Sequence, residues 1–142
     1  MNKFIQICLL WVIISLTPCC TSKSQDSVSY LDKNTYEKLM NLCPDKNISD
    51  LIVYYFDGDC SICLGKAREV DSLCRQIQST RVVFIAKAIN PAIFIPRWNG
   101  LKIRSCVYIE RNNEFEKSLK LLKVTKINTD RSEEDYDSKI PR

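Results

Sequence analysis

The chain has 142 residues, and its 21 basic and 17 acidic side chains give a formal net charge of +4. Eight residues are cysteine and none is histidine, which excludes Ser-His-Asp and Cys-His nucleophiles and metal sites built on imidazole. The basic residues form no block with interleaved aromatics, and neither a G-x-G-x-x-G nor a P-loop pattern occurs. Nucleic acid is therefore not an expected partner, and sulfur is the leading candidate for any chemistry.

The first 18 residues have the anatomy of an export signal. Lys3 precedes an uncharged run from Phe4 to Leu16. A helix of that length reaches about 20 Å, which is short of a hydrocarbon core of about 30 Å. The pattern predicts a signal peptide over 1–18, with an uncleaved anchor or a buried helix as the alternative.

Two adjacent cysteines, Cys19 and Cys20, follow this segment. A cysteine directly after an export segment resembles the lipobox of bacterial lipoproteins, and Leu16 stands three residues before Cys19 as in that family. Pro18 departs from the small residue that is typical there, whereas Cys20 has a small residue before it but lacks the leucine. The resemblance implies lipidation of Cys19, with Cys20 as the alternative. It also implies a bacterial cell envelope location, anchored to a membrane by lipid and facing the periplasm or the surface, where disulfides persist.

The mature chain is predicted to consist of a lipid-anchored tether over 19–33, a folded domain over 34–127 and a flexible polar tail over 128–142. The spacing of apolar residues along the chain, and continuous apolar runs, predict the helices and strands. In chain order they are a helix over 35–43, a strand over 51–56, a helix over 60–79, a strand over 81–88, a loop or broken helix over 90–101, a strand over 105–110, a turn over 111–113, a strand over 114–117 and a segment over 119–124 that fits strand or helix.

The two continuous apolar runs at 51–56 and 81–88 are typical of strands buried on both faces. The helix between them carries one apolar stripe, at Cys63, Ala67, Val70, Cys74 and Ile77. A strand–helix–strand unit of this kind predicts a right-handed parallel pair, and the 111–113 turn predicts an antiparallel hairpin at one edge. The expected fold class is α/β, a small mixed sheet flanked by helices and lacking a clear C-terminal helix.

The sequence Cys60-Ser61-Ile62-Cys63 begins the second helix, directly after a strand and an acidic turn. Free amide groups and the positive end of a helix dipole stabilise a thiolate on Cys60. The spacing puts both sulfurs in the first turn, and Cys63 starts the buried stripe. An exposed thiolate with a shielded partner suits thiol–disulfide exchange. Asp57 and Asp59 raise the expected pKa of Cys60, although turn formation is their favoured role over proton transfer.

Residues 48–118, with LIVYYFDGDCSICLGKAREVDSL at their centre, resemble the thioredoxin-like superfamily, in particular the membrane-anchored thiol–disulfide oxidoreductases of bacterial envelopes. The resemblance implies a thioredoxin-like domain with Cys60 as nucleophile and Cys63 as resolving thiol. It implies exported thiol or disulfide proteins as partners, and no cofactor beyond the dithiol. Asp59 stands where an aromatic residue is typical, and the stretch 102–106 lacks the family's cis-proline. Cys106 falls near that position, where it is either a third thiol approaching the pair or a small core residue.

Two other functions fit the same residues. The first is a non-catalytic lipoprotein in which Cys60–Cys63 is a structural disulfide. The second, less favoured, is a thiolate metal site for Cu(I) or Zn formed by Cys60, Cys63 and Cys106. Cys74 is expected to be structural, and Cys43 is open between a free and a bridged state.

Overall fold

The computed structural model describes residues 28–42, 50–77 and 80–140. Residues 1–18, predicted to be a signal peptide, lie outside these ranges together with Cys19, Cys20 and Cys43, and so do the predictions made for them. No helix within the three ranges is both long and apolar enough to cross a membrane. The elements are β1 (Ser29–Tyr30), α1 (Lys33–Leu42), β2 (Asp50–Asp57), α2 (Ser61–Cys74), β3 (Thr80–Lys87), α3 (Pro91–Gly100), β4 (Cys106–Glu110), β5 (Lys123–Ile127), β6 (Ser132–Asp135) and a single-turn 3-10 helix (Asp137–Lys139).

The six strands form one mixed sheet in the order β1-β6-β5-β2-β3-β4. Strand β2 is parallel to β3, and β3 is parallel to β4. On the other side of β2, strands β5, β6 and β1 are each antiparallel to their neighbour. The mixed α/β class and the parallel β2–α2–β3 unit are thereby confirmed.

Strand β2 is the centre of the molecule because it is apolar on both faces. Ile52, Tyr54 and Phe56 belong to the core that α2 and α3 cover. The alternate residues of the strand, among them Val53 and Tyr55, belong to a second core with α1. Burial of such side chains contributes about 1.5–3 kcal/mol each, which fixes the register of the strand that carries the cysteine motif at its end.

Helix α1 begins two residues earlier than predicted, because Asp32 rather than Thr35 caps it. The Asp32 carboxylate accepts a hydrogen bond from the backbone N–H of Thr35 at 2.9 Å. Hydrogen bonds from Thr35 hold the pKa of Asp32 below its usual value. The Thr35 hydroxyl, which was the predicted cap, instead donates to the Ser118 hydroxyl at 3.1 Å.

Helix α2 ends at Cys74, five residues before the predicted end at 79. Its predicted apolar stripe is buried as far as the helix extends, and Ile77, beyond the end, is 36% exposed. Asp71, which the pattern placed toward solvent, is only 1% exposed. The Asp71 carboxylate accepts hydrogen bonds from Ser105 and pairs with Arg75, and these partners compensate for its burial.

The predicted loop or broken helix is a continuous helix, α3. Asn90 caps it by accepting the backbone N–H of Ala92 at 3.1 Å, and Pro91 occupies the first turn, where no N–H is needed. Pro96 lies inside the helix. Phe94 and Trp98 are both buried, and stacking between them at 5.7 Å holds this face against the core despite the internal proline.

The predicted antiparallel hairpin after β4 is wrong. Strand β4 lies at the edge of the sheet with β3 as its neighbour, and the chain then crosses to β5, on the other side of β2. Residues 114–117 form no strand, since Phe115 and Leu119 are buried in the α1-side core instead. The undecided segment 119–124 ends in the first residues of β5.

Both ends of the described chain join the sheet, through residues 29–30 of the segment predicted as a tether and residues 132–135 of the segment predicted as a tail. Strand β1 pairs with β6, and Leu31 beside it is 3% exposed. Strand β6 pairs with β5, and Tyr136 and Ile140 beyond it are buried in the core under α2. After β6 the described residues contain a single-turn 3-10 helix and no α-helix, in keeping with the expected lack of a C-terminal helix.

A cysteine pair at the start of α2

The turn that follows β2 is fixed by its own side chains and by its neighbour β3. The Asp57 carboxylate accepts the N–H of Asp59 at 2.9 Å, and the Asp57 carbonyl accepts the N–H of Cys60 at 3.2 Å. A side chain at Gly58 would bring its Cβ to 3.0 Å from both Ala88 and the Phe94 ring, a very tight contact. Glycine therefore lets the turn lie against the start of the α3 region.

Cys60 and Cys63 are joined by a disulfide, with their Cα atoms 5.3 Å apart. Cys60 is the N-cap of α2, with extended φ and ψ of −84° and 115°, and its Sγ accepts the backbone N–H of Cys63 at 3.3 Å. Cys60 is partly buried, whereas Cys63 is only 7% exposed. Cys63 is thus the more deeply buried residue of the pair, as its place at the start of the apolar stripe predicted.

The N-cap position has a chemical consequence for the reduced pair. A thiolate on Cys60 would accept the same N–H hydrogen bond and would lie at the positive end of the α2 dipole. Both interactions favour the charged form of the thiol. The arrangement is therefore suited to a nucleophilic or leaving-group sulfur at Cys60.

The carboxylates of the turn are engaged with the backbone. Besides the Asp57 contact, the Asp59 carboxylate accepts the N–H of Ile89 at 3.0 Å, which ties the turn to the end of β3. Turn formation, the favoured role for both residues, is confirmed. Arg97 of α3 completes the surroundings by donating to the Asp59 carbonyl at 3.3 Å and to the Ser61 hydroxyl at 2.8 Å.

Sequence reasoning missed Arg97 as a member of the site. It stands well beyond the motif in the sequence, in a segment that gave no clear helical signal. Asn90 as a cap followed by Pro91 was the one signal that could have placed it in a helix. Even then, only the packing of α3 against the turn brings its guanidinium to the cysteine motif.

Exposed apolar side chains surround the pair at the carboxyl end of the parallel strands. Ile62, between the two cysteines, is 85% exposed, and Ile89, which contacts Asp59 through its N–H, is 93% exposed. Ile93 in the first turn of α3 is 55% exposed. An open depression of about 500 Å³ borders Ile89 and extends to Glu110 and Arg111.

Cys106 does not approach the pair, so the alternative of a third thiol is not what the structure shows. It begins β4 opposite Val83, four positions before Glu110, which is level with the end of β3. At 3.3 Å per residue it lies about 13 Å back from the edge that carries the cysteine motif. It shares the strand face of Tyr108, which packs in the α1-side core, opposite α2. Cys106 is also disulfide-bonded itself.

The three-thiolate metal site fails for the same reason, since it requires Cys106. Within the part of the chain that the structure describes, no group of three or more Cys, Asp or Glu side chains is arranged to hold a metal ion. Cys74, at the far end of α2, is a buried free thiol whose pKa is raised to about 11 by burial and by the charge of Asp71. Its structural role fits the prediction.

Comparison of the chain with protein families, with curated proteins and with solved structures finds no match. The chain's own geometry provides a small α/β domain with a mixed sheet. Just beyond the carboxyl end of the central strand β2, at the start of α2, it places a Cys60–Cys63 pair at disulfide distance, which is compatible with a C-x-x-C redox motif.

Proposed function

We propose that this chain is a thioredoxin-like thiol–disulfide oxidoreductase that exchanges disulfides through Cys60 and Cys63. The supporting observation is the asymmetry of the pair. Cys60 caps α2 and is partly exposed, while Cys63 is buried beneath the first turn. Because thiolate attack needs one accessible sulfur and one partner held close, this asymmetry separates the roles of nucleophile and resolving thiol.

The exchange is a two-electron transfer between a dithiol and a disulfide. A thiolate of the substrate attacks Sγ of Cys60, forms a mixed disulfide and expels Cys63 as a thiolate, which takes up a proton. A second substrate thiolate then attacks the substrate sulfur of the mixed disulfide and releases Cys60. The substrate dithiol is oxidised to a disulfide, and Cys60–Cys63 is reduced by the same two electrons. The reverse sequence reduces a substrate disulfide, and no further cofactor takes part.

The proposed substrates are exported proteins with thiols or disulfides. The exposed isoleucines around the pair, Ile62, Ile89 and Ile93, support this choice because they offer apolar contacts to a polypeptide segment.

The proposed location is the bacterial cell envelope, with lipid on Cys19 or Cys20. We expect a double substitution of both cysteines by serine to move the protein from the membrane fraction to the soluble fraction. Each buried CH₂ of an acyl chain contributes about 0.8 kcal/mol of membrane binding, and serine cannot be acylated in this way. Fractionation followed by immunoblotting measures the change. A double variant that remains with the membranes contradicts the anchor.

The redox proposal predicts a reversible couple at Cys60–Cys63. Equilibration in glutathione buffers, followed by alkylation at pH 7 and peptide mass spectrometry, should show both cysteines labelled together over a narrow range of buffer potential. Cys74 serves as the internal control. Its pKa of about 11 and its burial should keep it unlabelled while the protein is folded. A Cys60–Cys63 bond that resists reduction until the chain unfolds contradicts the proposal.

The same experiment tests the structural alternative. The acidic turn favours a non-catalytic disulfide, since Asp57 and Asp59 place negative charge beside Cys60. In that case the bond should be reduced only with unfolding. The disulfide would then only stabilise the first turn of α2.

A further inference from the structure

We infer that Arg97 is a positioning residue that holds the Cys60 sulfur in its thiolate form. The inference deepens the proposed function and rests on it for its catalytic meaning. The guanidinium of Arg97 donates to the carbonyl of Asp59 and to the hydroxyl of Ser61, the residues directly before and after Cys60. A fixed positive charge is thereby held alongside the motif by two anchors.

The geometry makes this charge specific to Cys60 rather than to the protein surface in general. Arg97 is partly buried in the last turn of α3, beside the face that packs Phe94 and Trp98 into the core. Phe94 and Trp98 pack the helix against the core, and the two hydrogen bonds hold the guanidinium at the motif. The planar guanidinium can donate to the Asp59 carbonyl and the Ser61 hydroxyl at the same time, which the ammonium group of a lysine does less well.

The other charged groups around Cys60 define what Arg97 opposes. Asp57 and Asp59 of the turn are negative and close to the motif. Further along α2, Lys66 is paired with Asp137, so its charge is offset. Arg97 is the cation whose hydrogen bonds reach the residues flanking Cys60 among the contacts described, and it counters the two carboxylates.

The consequence is a shift in the balance between thiol and thiolate. A nearby opposite charge favours the ionised form of an acidic group, and in the inference Arg97, held by the residues on either side of Cys60, adds this effect to that of the α2 dipole. In the exchange step, Cys60 leaves or attacks as a thiolate. Stabilising that form speeds its departure and favours the reduced pair.

The test uses the full-length reduced protein and the pH dependence of Cys60 alkylation by iodoacetamide. Below its pKa, the reaction rate follows the thiolate fraction, and a pKa change of one corresponds to a tenfold change in that fraction. We expect Arg97→Gln to slow alkylation of Cys60 at pH 6 by about three- to tenfold, with less effect above pH 9. Ser61→Ala, which removes one anchor, should have a smaller effect in the same direction.

Two controls separate charge from folding. Arg68→Gln removes the same charge from an exposed position of α2 and should leave the profile unchanged. Arg97→Lys should recover part of the alkylation rate, and the effect of Arg97→Gln should shrink at 1 M salt, where the screening length is about 3 Å. Superimposable profiles of wild type and a folded Arg97→Gln variant overturn the inference. A shifted profile in a protein that exchanges no disulfides would uphold the role of Arg97 and reject the proposed function.

Discussion

Replacing Cys60 by serine is expected to abolish disulfide exchange, with a loss of at least about 100-fold, because a hydroxyl cannot form the mixed disulfide. Cys63→Ser should behave differently. It leaves Cys60 able to attack a substrate disulfide but removes the resolving thiol, so a mixed disulfide with the substrate should accumulate. The measurement is reduction of a model disulfide protein, followed by non-reducing electrophoresis to detect the trapped adduct.

Cys74→Ala is the matched control for this pair of variants. Cys74 is in the same helix and is buried, but it lies eleven residues after Cys63, about 16 Å along the axis. Exchange should continue at the wild-type rate in this variant. If Cys60→Ser retains full activity, another thiol carries the reaction and the assignment of the nucleophile is wrong.

Replacing Glu110 by alanine is expected to lower the free energy of unfolding by about 2–5 kcal/mol. The Glu110 carboxylate is 2% exposed and accepts hydrogen bonds from the Tyr55 hydroxyl and the Phe115 N–H, both at 2.6 Å. Tyr55 and Phe115 are each 1% exposed, so alanine would leave two buried donors without an acceptor. The free energy of unfolding, measured by urea titration, tests this expectation.

Glu116→Ala is the matched control, because Glu116 lies in the segment between β4 and β5 that follows Glu110. Its side chain is 52% exposed and is paired with Lys87 at 3.2 Å, so its loss should cost less than about 1 kcal/mol. Equal losses of stability for Glu110→Ala and Glu116→Ala would show that the buried carboxylate of Glu110 does not stabilise the segment between β4 and β5. A Tyr55→Phe substitution combined with Glu110→Ala should cost less than the sum of the two single changes.

The same contact has a pH signature. Burial, together with the Glu110 hydrogen bond, raises the pKa of Tyr55 well above its ordinary value. A group with a raised folded pKa stabilises the protein below its unfolded pKa and loses that contribution as the pH rises toward the folded value. Stability should therefore fall as the pH rises above about 10, and Tyr55→Phe should reduce this loss.

The sequence anticipated the centre of the fold because its signals there are strong and local. The apolar runs of β2 and β3 and the stripe of α2 each state which element forms and which faces are buried. The register of Cys60 and Cys63 within the first helical turn follows from their spacing of three. These are properties of neighbouring residues, so no long-range contact was needed to read them.

The periphery was misjudged where stability comes from pairing across the sheet. Strand β6 is polar and acidic, and alone it suggests a tail. Beside the lysines of β5 it becomes complementary, with Lys123 paired to Asp135 at 2.7 Å and Lys126 opposite Glu134 in register. That charge match is visible in the sequence, but which strand meets which is decided only by the fold.

The sequence by itself determined the central strand–turn–helix unit and the asymmetry between a partly buried Cys60 and a more deeply buried Cys63. Only the tertiary structure decided that Cys106 lies on the opposite face, that β4 is an edge strand without a hairpin partner while β5 lies beside β2, and that Arg97 reaches the motif. The physical reason is how far apart in the sequence the contacting residues lie. Periodicity and capping depend on contacts of a residue within its own helix or strand. Which strands are neighbours, which face of the sheet a residue occupies and whether Arg97 reaches the cysteine motif depend on how whole helices and strands pack together.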